Sequence, residues 1–123
     1  MTNEEREDLE FEVEFLEAVV ERSPDFEEPL MALGFAYTQL KQYKKGLGID
    51  RRLLELRPYD KIVYYNLACS LSLLRDIDAS FDALETAVDL GYANFDDMLQ
   101  DADLENVRKD PRFPQIILSK IKP

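Results

Sequence analysis

This 123-residue chain has twenty-six aspartates and glutamates, one cysteine (Cys69) and no histidine. Without histidine, the side chain most used for proton transfer near neutral pH and for holding metals is missing. Ser-His-Asp and Cys-His nucleophiles are therefore excluded. One cysteine forms neither an internal disulfide nor a CxxC metal site. Paired carboxylates can do acid–base work, but no spacing singles out two from so many. Asp76-x-Asp78-x-Ser80 and Asp101-x-Asp103-x-Glu105 resemble the start of a calcium loop. Phe81 and Asn106 stand where the sharp turn needs Gly, and Ala87 and Arg112 where a bidentate Glu should close the loop. Both read instead as helix caps on a solvated acidic surface. Gly46-x-Gly48 lies inside a predicted helix, with no strand before it and no Lys-Ser/Thr partner for a phosphate. Cys69 reads as a small, buried or groove-lining apolar side chain. The expectation is no catalytic residue, no bound metal and no cofactor.

Binding is left, and charge narrows it. The formal net charge is −11, with 46% hydrophobic and 33% charged residues, a globular balance. Such a field repels phosphate backbones and anionic lipid, so nucleic-acid and membrane partners are not expected. No apolar run approaches 18 residues, and the opening MTNEEREDLE is acidic where a signal peptide is basic and then apolar. A single cytoplasmic domain is the expectation.

The elements that would position a binding face follow from an internal repeat. A shift of 34 residues superposes Pro24 on Pro58, Leu30 on Tyr64, Leu33 on Leu67 and Gly34 on Ala68. It also superposes Tyr37 on Leu71, Leu40 on Leu74, and Val20 on Leu54 and Val88. Leu30-x2-Leu33-Gly34-x2-Tyr37, closed by Pro58, resembles the tetratricopeptide (TPR) signature with Leu in place of Trp. Tyr64-x2-Leu67-Ala68-x2-Leu71 is the second copy. The resemblance to TPR proteins covers roughly residues 11–94. Tyr65-Asn66-Leu67-Ala68-Cys69, Leu90-Gly91-Tyr92 and Asp110-Pro111-Arg112-Phe113 resemble the closing segment of bacterial TPR arrays. The resemblance implies an all-α fold, a right-handed stack of antiparallel helix pairs. Its parts would be an N-terminal capping helix (1–24), a full repeat (25–58), a degenerate repeat (59–94) and short C-terminal capping helices (95–123).

Local signals predict helices near 4–22, 26–40, 43–56, 60–74 and 77–90. Thr2 with Glu5 and Asp25 with Glu28 have capping-box spacing, and Asp60 and Asp76 are candidate N-caps. Gly46 and Gly48 should each loosen the third helix by about 1 kcal/mol relative to Ala. Residues 9–15, LEFEVEF, alternate like a strand, but Leu16, Val19 and Val20 continue with helical spacing. On a helix, Leu9, Val13, Leu16 and Val20 form one stripe, and Phe11, Phe15 and Val19 another. The second stripe either packs on a neighbouring helix or serves as a self-association face through Phe11 and Phe15.

Residues 1–28 carry net charge −10 and residues 41–61 net +4. This pattern is either a solvated surface with inter-helix pairing or a means of head-to-tail attraction and partner steering. TPR proteins hold ligands on the inner face of the stack. Here the resemblance implies a groove of Met31, Phe35, Thr38, Gln39, Ile62, Tyr65, Cys69 and Leu73. At the positions with which TPR proteins clamp acidic chaperone C-termini, this chain has Met31, Phe35, Asn66, Asp96 and Gln100. Only the Asn is suited, so no such clamp is expected. The groove is either covered by Phe113, Ile116, Ile117 and Ile121 of the chain itself or filled by an apolar peptide or amphipathic helix from another protein. The function expected is a non-catalytic protein–protein interaction module. Two alternatives stand beside it: a small acidic chaperone of the secretion type, and a self-assembling homodimer.

Overall fold

The computed structural model describes residues 1–120. Among them it contains α-helices, one 3-10 turn and no strand. Five long helices come first: α1 (Asn3–Arg22), α2 (Glu27–Gln39), α3 (Tyr43–Leu56), α4 (Lys61–Leu73) and α5 (Ile77–Asp89). Short elements follow: α6 (Phe95–Gln100), a 3-10 turn at Ala102–Leu104, α7 (Glu105–Arg108) and α8 (Phe113–Leu118). The five expected spans end within a residue of the observed ones. The strand-like alternation of residues 9–15 lies inside α1, where the helical spacing of Val13, Leu16 and Val20 prevails. No helix among the described residues is long and apolar enough to cross a membrane.

The chain packs as two compact units, Met1–Leu56 and Arg57–Pro123. In the first, α1 packs on α2 and α2 on α3. Val13 and Leu16 of α1 are buried with Leu33, Ala36, Tyr37 and Leu40, and Leu9, Val20 and Ile49 pack against them. The Tyr37 hydroxyl donates to the Glu17 carboxylate, joining α1 to α2 with a polar contact beside the apolar one. Thr2 caps α1 by accepting from the Glu5 N–H at 3.1 Å. Asp25 does not cap α2. Phe26 takes the N-cap position with no side-chain bond, and the Asp25 carboxylate pairs with Arg52 of α3 instead. The charge partner across the unit outcompetes the local cap.

In the second unit, α4 packs on α5, on the 3-10 turn and on α7, while α5 also meets α7 and α8. Ala68, Leu84, Ala87, Met98, Leu104 and Val107 are fully shielded from solvent, so residues 95–107 supply core rather than a polar lid alone. Asp60 caps α4 by accepting from the N–H groups of Ile62 and Val63. Asp76 stands at the N-cap of α5 but makes no side-chain cap bond. Its carbonyl receives the Ser80 N–H at 2.9 Å.

The two helix–turn–helix pairs repeat each other at 34 residues, turn included. After α2, Lys41 N–H donates to Thr38 O and Gln42 N–H to Tyr37 O; after α4, Arg75 donates to Ser72 O and Asp76 to Leu71 O. These are paired Schellman bonds, which satisfy carbonyls that a helix end leaves open. The motif requires a left-handed residue, supplied by Lys41 (φ 61°) and Arg75 (φ 63°) and, after α5, by Gly91 (φ 109°). Only Gly91 takes that conformation without a Cβ penalty.

The small residues expected at the helix crossings are there. A Cβ on Gly34 would stand 3.1 Å from Ile49 Cγ2 of α3, and one on Gly46 3.4 Å from Thr38 Oγ1. In the second unit, Ser80 donates to the Ala68 carbonyl at 2.7 Å. Gly34 therefore lies at a close approach, whereas a Cβ on Gly46 would make ordinary van der Waals contact. Gly48 is different, since a Cβ there meets nothing within 4 Å. Gly48→Ala is expected to stabilise the first unit by about 1 kcal/mol, seen as a higher urea midpoint with an unchanged slope.

Candidate functional site

Helix α2 has three faces. Leu33, Ala36, Tyr37 and Leu40 are committed to the core with α1. Gly34 looks onto Ile49 of α3, and the Thr38 hydroxyl donates to the carbonyl of Gly34 at 3.1 Å, keeping that side chain in its own helix. The third face carries Glu28, Met31, Phe35 and Gln39, all exposed. Met31 is 53% and Phe35 67% solvent-accessible. Spaced by four residues, they lie one above the other as an apolar pair in water.

Thirty-four residues on, the equivalents of Met31 and Phe35 are Tyr65 and Cys69, and there the face is closed. Both are buried, at 7% and 8% exposure. The Tyr65 ring stacks on Tyr92, centroids 4.3 Å apart and planes within 7°. The Tyr65 hydroxyl donates to Asp101 Oδ2 at 2.8 Å, and Cys69 Sγ lies 3.8 Å from the same oxygen. Farther along α4, Val107 N–H donates to Ser72 Oγ at 3.2 Å and Asn106 Nδ2 to Ser72 O at 2.9 Å. Arg108 pins the approach segment by donating to the carbonyls of Met98 (3.0 Å) and Asp101 (2.6 Å). Of the other residues placed in the groove from sequence, Ile62 is exposed and Leu73 half-buried. The segment that closes α4 is therefore residues 92–107. Phe113 and Ile116, expected as a groove cover, are buried in the second unit, where their helix, α8, packs on α5. Ile117 is half-buried, and Ile121 lies outside the described residues. Arg112 fixes the start of α8, bonding Asp78 of α5 at 2.6 Å and lying over the Phe81 ring at 4.7 Å.

Burial, then the Asp101 hydrogen bond, push the Tyr65 phenol far above its ordinary value. Burial and the Glu17 contact do the same for Tyr37. Burial raises Asp103, with the charge of Asp101 adding to it. Cys69, Asp101 and Asp103 bring one ligand atom each within 4.8 Å of one another, the group among the described residues that could hold a cation. Asp101 already has work there. It receives the Tyr65 hydroxyl, and its second oxygen caps the 3-10 turn by accepting from Asp103 N–H at 3.0 Å. The arrangement acts as a clasp on the α4 face. Sequence reasoning noted Tyr92 and Asp101 but did not join them to Tyr65, because their spacings of 27 and 36 residues fall outside the 34-residue period.

On α1, Val13 and Leu16 are buried, whereas Phe11 is 73% and Phe15 64% accessible. The stripe containing them faces away from α2. Beside α1 and α2, a shallow recess of about 270 Å³ is lined by Met1, Glu5, Asp8, Leu9, Glu12 and Gln39.

No protein-family model matches the chain. Among curated proteins it is similar to a chloroplastic protein of Arabidopsis thaliana, with 30% identity over 87 residues. The match covers 68% of this chain and 26% of that protein. The chain thus spans about a quarter of the length of the curated relative it matches.

Proposed function

We propose that the chain is a TPR-like, non-catalytic module that binds another protein through the exposed Met31–Phe35 face of α2. An apolar peptide or the apolar side of a helix would seat on Met31 and Phe35. The observation that carries this reading is the contrast between equivalent faces. The chain closes Tyr65 and Cys69 with its own segment and leaves Met31 and Phe35 in water. A flexible thioether beside a rigid aromatic ring suits an apolar anchor from a partner. The TPR reading draws on the 34-residue recurrence of helix, turn and left-handed residue. Similarity to one part of a longer protein fits a module used within larger chains.

The test is capture of native partners on the immobilised full chain, compared with Phe35→Glu and Met31→Glu. Each variant is expected to keep the native circular dichroism and urea midpoint, since both side chains are exposed, and to lose about tenfold or more in affinity. A captured protein that binds the folded variants equally well would remove α2 from the interaction. The same capture with Tyr65→Glu is uninformative, because that side chain is part of the core.

A further inference from the structure

The 34-residue register assigns a role to the exposed face of α1. Phe15 is equivalent to Ile49 of α3 and Ala83 of α5, Val19 to Leu53 and Ala87, and Glu12 to Gly46 and Ser80. In α3 and α5 that face is covered by the preceding helix. Ile49 and Gly46 meet α2 at Gly34 and Thr38, and Ser80 meets α4 at the Ala68 carbonyl. Leu53, Ala83 and Ala87 are buried. Helix α1 is thus built as the second member of a helix pair, and on its pairing face Glu12 and Phe15 remain exposed while Val19 is half-buried.

We propose that this face docks a basic amphipathic helix from another protein. The register sets the geometry, and the departures from it set the chemistry. At the crossing, where α3 has Gly46 and α5 has Ser80, α1 has the exposed carboxylate of Glu12. Ser80 can donate to a facing carbonyl, but a carboxylate only accepts, so the docking helix must bring a donor, Lys or Arg, to that point. Asp8 lies one turn away on the same side, and residues 1–28 carry net charge −10. Phe11 and Phe15 supply the apolar stripe, and small or aliphatic residues opposite them complete the contact. A second copy pairing through its own α1 does not fit this description, and one pairing through the basic residues 41–61 is an outcome that sedimentation separates. Pairing α1 with itself would set Asp8 and Glu12 against the same acids of the other copy.

The test uses the full chain and a labelled, designed 18-residue helix. It has Leu four residues apart around a central Ala and Lys along both flanks; the control peptide has Glu for every Lys. Anisotropy is expected to show saturable binding of the Lys peptide that weakens with salt, and none of the Glu peptide. Phe15→Glu is expected to weaken it about tenfold or more although it makes the protein more acidic, which separates docking from general charge attraction. Phe35→Glu is expected to leave it unchanged, so this result and that for α2 stand or fall separately. Equal binding to Phe15→Glu, equal binding of the Glu peptide, or absence of binding overturns the proposal. So does a wild-type chain that sediments as a dimer and becomes monomeric with Phe15→Glu, since the occupant is then a second copy.

Discussion

Replacing Ala68 by leucine is expected to destabilise the second unit by roughly 3 kcal/mol or more. Ala68 is fully buried at the point where α4 and α5 approach so closely that Ser80 of one bonds the carbonyl of the other at 2.7 Å. A leucine adds three carbons where there is no space. The helices must separate, and separation breaks the Ser80 bond in a place water does not reach. Overpacking alone costs about 1–3 kcal/mol, and a buried polar pair left open costs a similar amount. Native-state hydrogen exchange in α4 and α5 reads the loss directly. Ala32→Leu is the control, because Ala32 lies exposed on α2 and the change should stay within about 0.5 kcal/mol. A loss below about 1 kcal/mol for Ala68→Leu would mean that the crossing is looser than its hydrogen bond implies.

That crossing was legible in the sequence because it repeats. Gly34 and Ala68 hold the same place, as do Gly46 and Ser80, and the helices around them begin 34 residues apart. Short-range signals also sufficed at Thr2 and at Asp60, whose second oxygen pairs with Arg57 while the first caps α4. They failed at Asp25, whose carboxylate pairs with Arg52 of α3, and at Asp76, which makes no side-chain cap bond. The candidate site was legible only in half. Met31 and Phe35 follow from helical spacing and remain exposed, but their counterparts Tyr65 and Cys69 are closed by residues 92–107, which follow no repeat. An irregular segment has no period to extrapolate, and its contacts with α4 span 27 to 36 residues of sequence. The left-handed turns at Lys41 and Arg75 carried no signal at all, since neither residue type favours that conformation.

The clasp itself yields the second large effect. Tyr65→Phe keeps the ring and its stacking on Tyr92 but removes the donor to Asp101, a hydrogen bond to a charged group worth about 2 kcal/mol at neutral pH. The pH dependence ties the effect to the Tyr65 proton, which burial first and then the Asp101 bond hold in place. The folded chain holds the Tyr65 proton well above the ordinary value of 10.0, so folded protein binds more protons than unfolded protein once the pH exceeds that value. Stability from this group is therefore complete below pH 10 and lost as the pH rises. The difference between wild type and Tyr65→Phe should narrow above pH 10 and stay constant between pH 6 and 9. Cys69 offers a second readout at fixed neutral pH, because its buried thiol lies under the same clasp. If a thiol reagent reaches Cys69 by local opening, a 2 kcal/mol loss speeds labelling about 30-fold. Unchanged labelling with lowered stability would mean that the Tyr65–Asp101 bond holds the unit together without guarding the α4 face, and the contrast between a closed α4 and an open α2 would then need another cause.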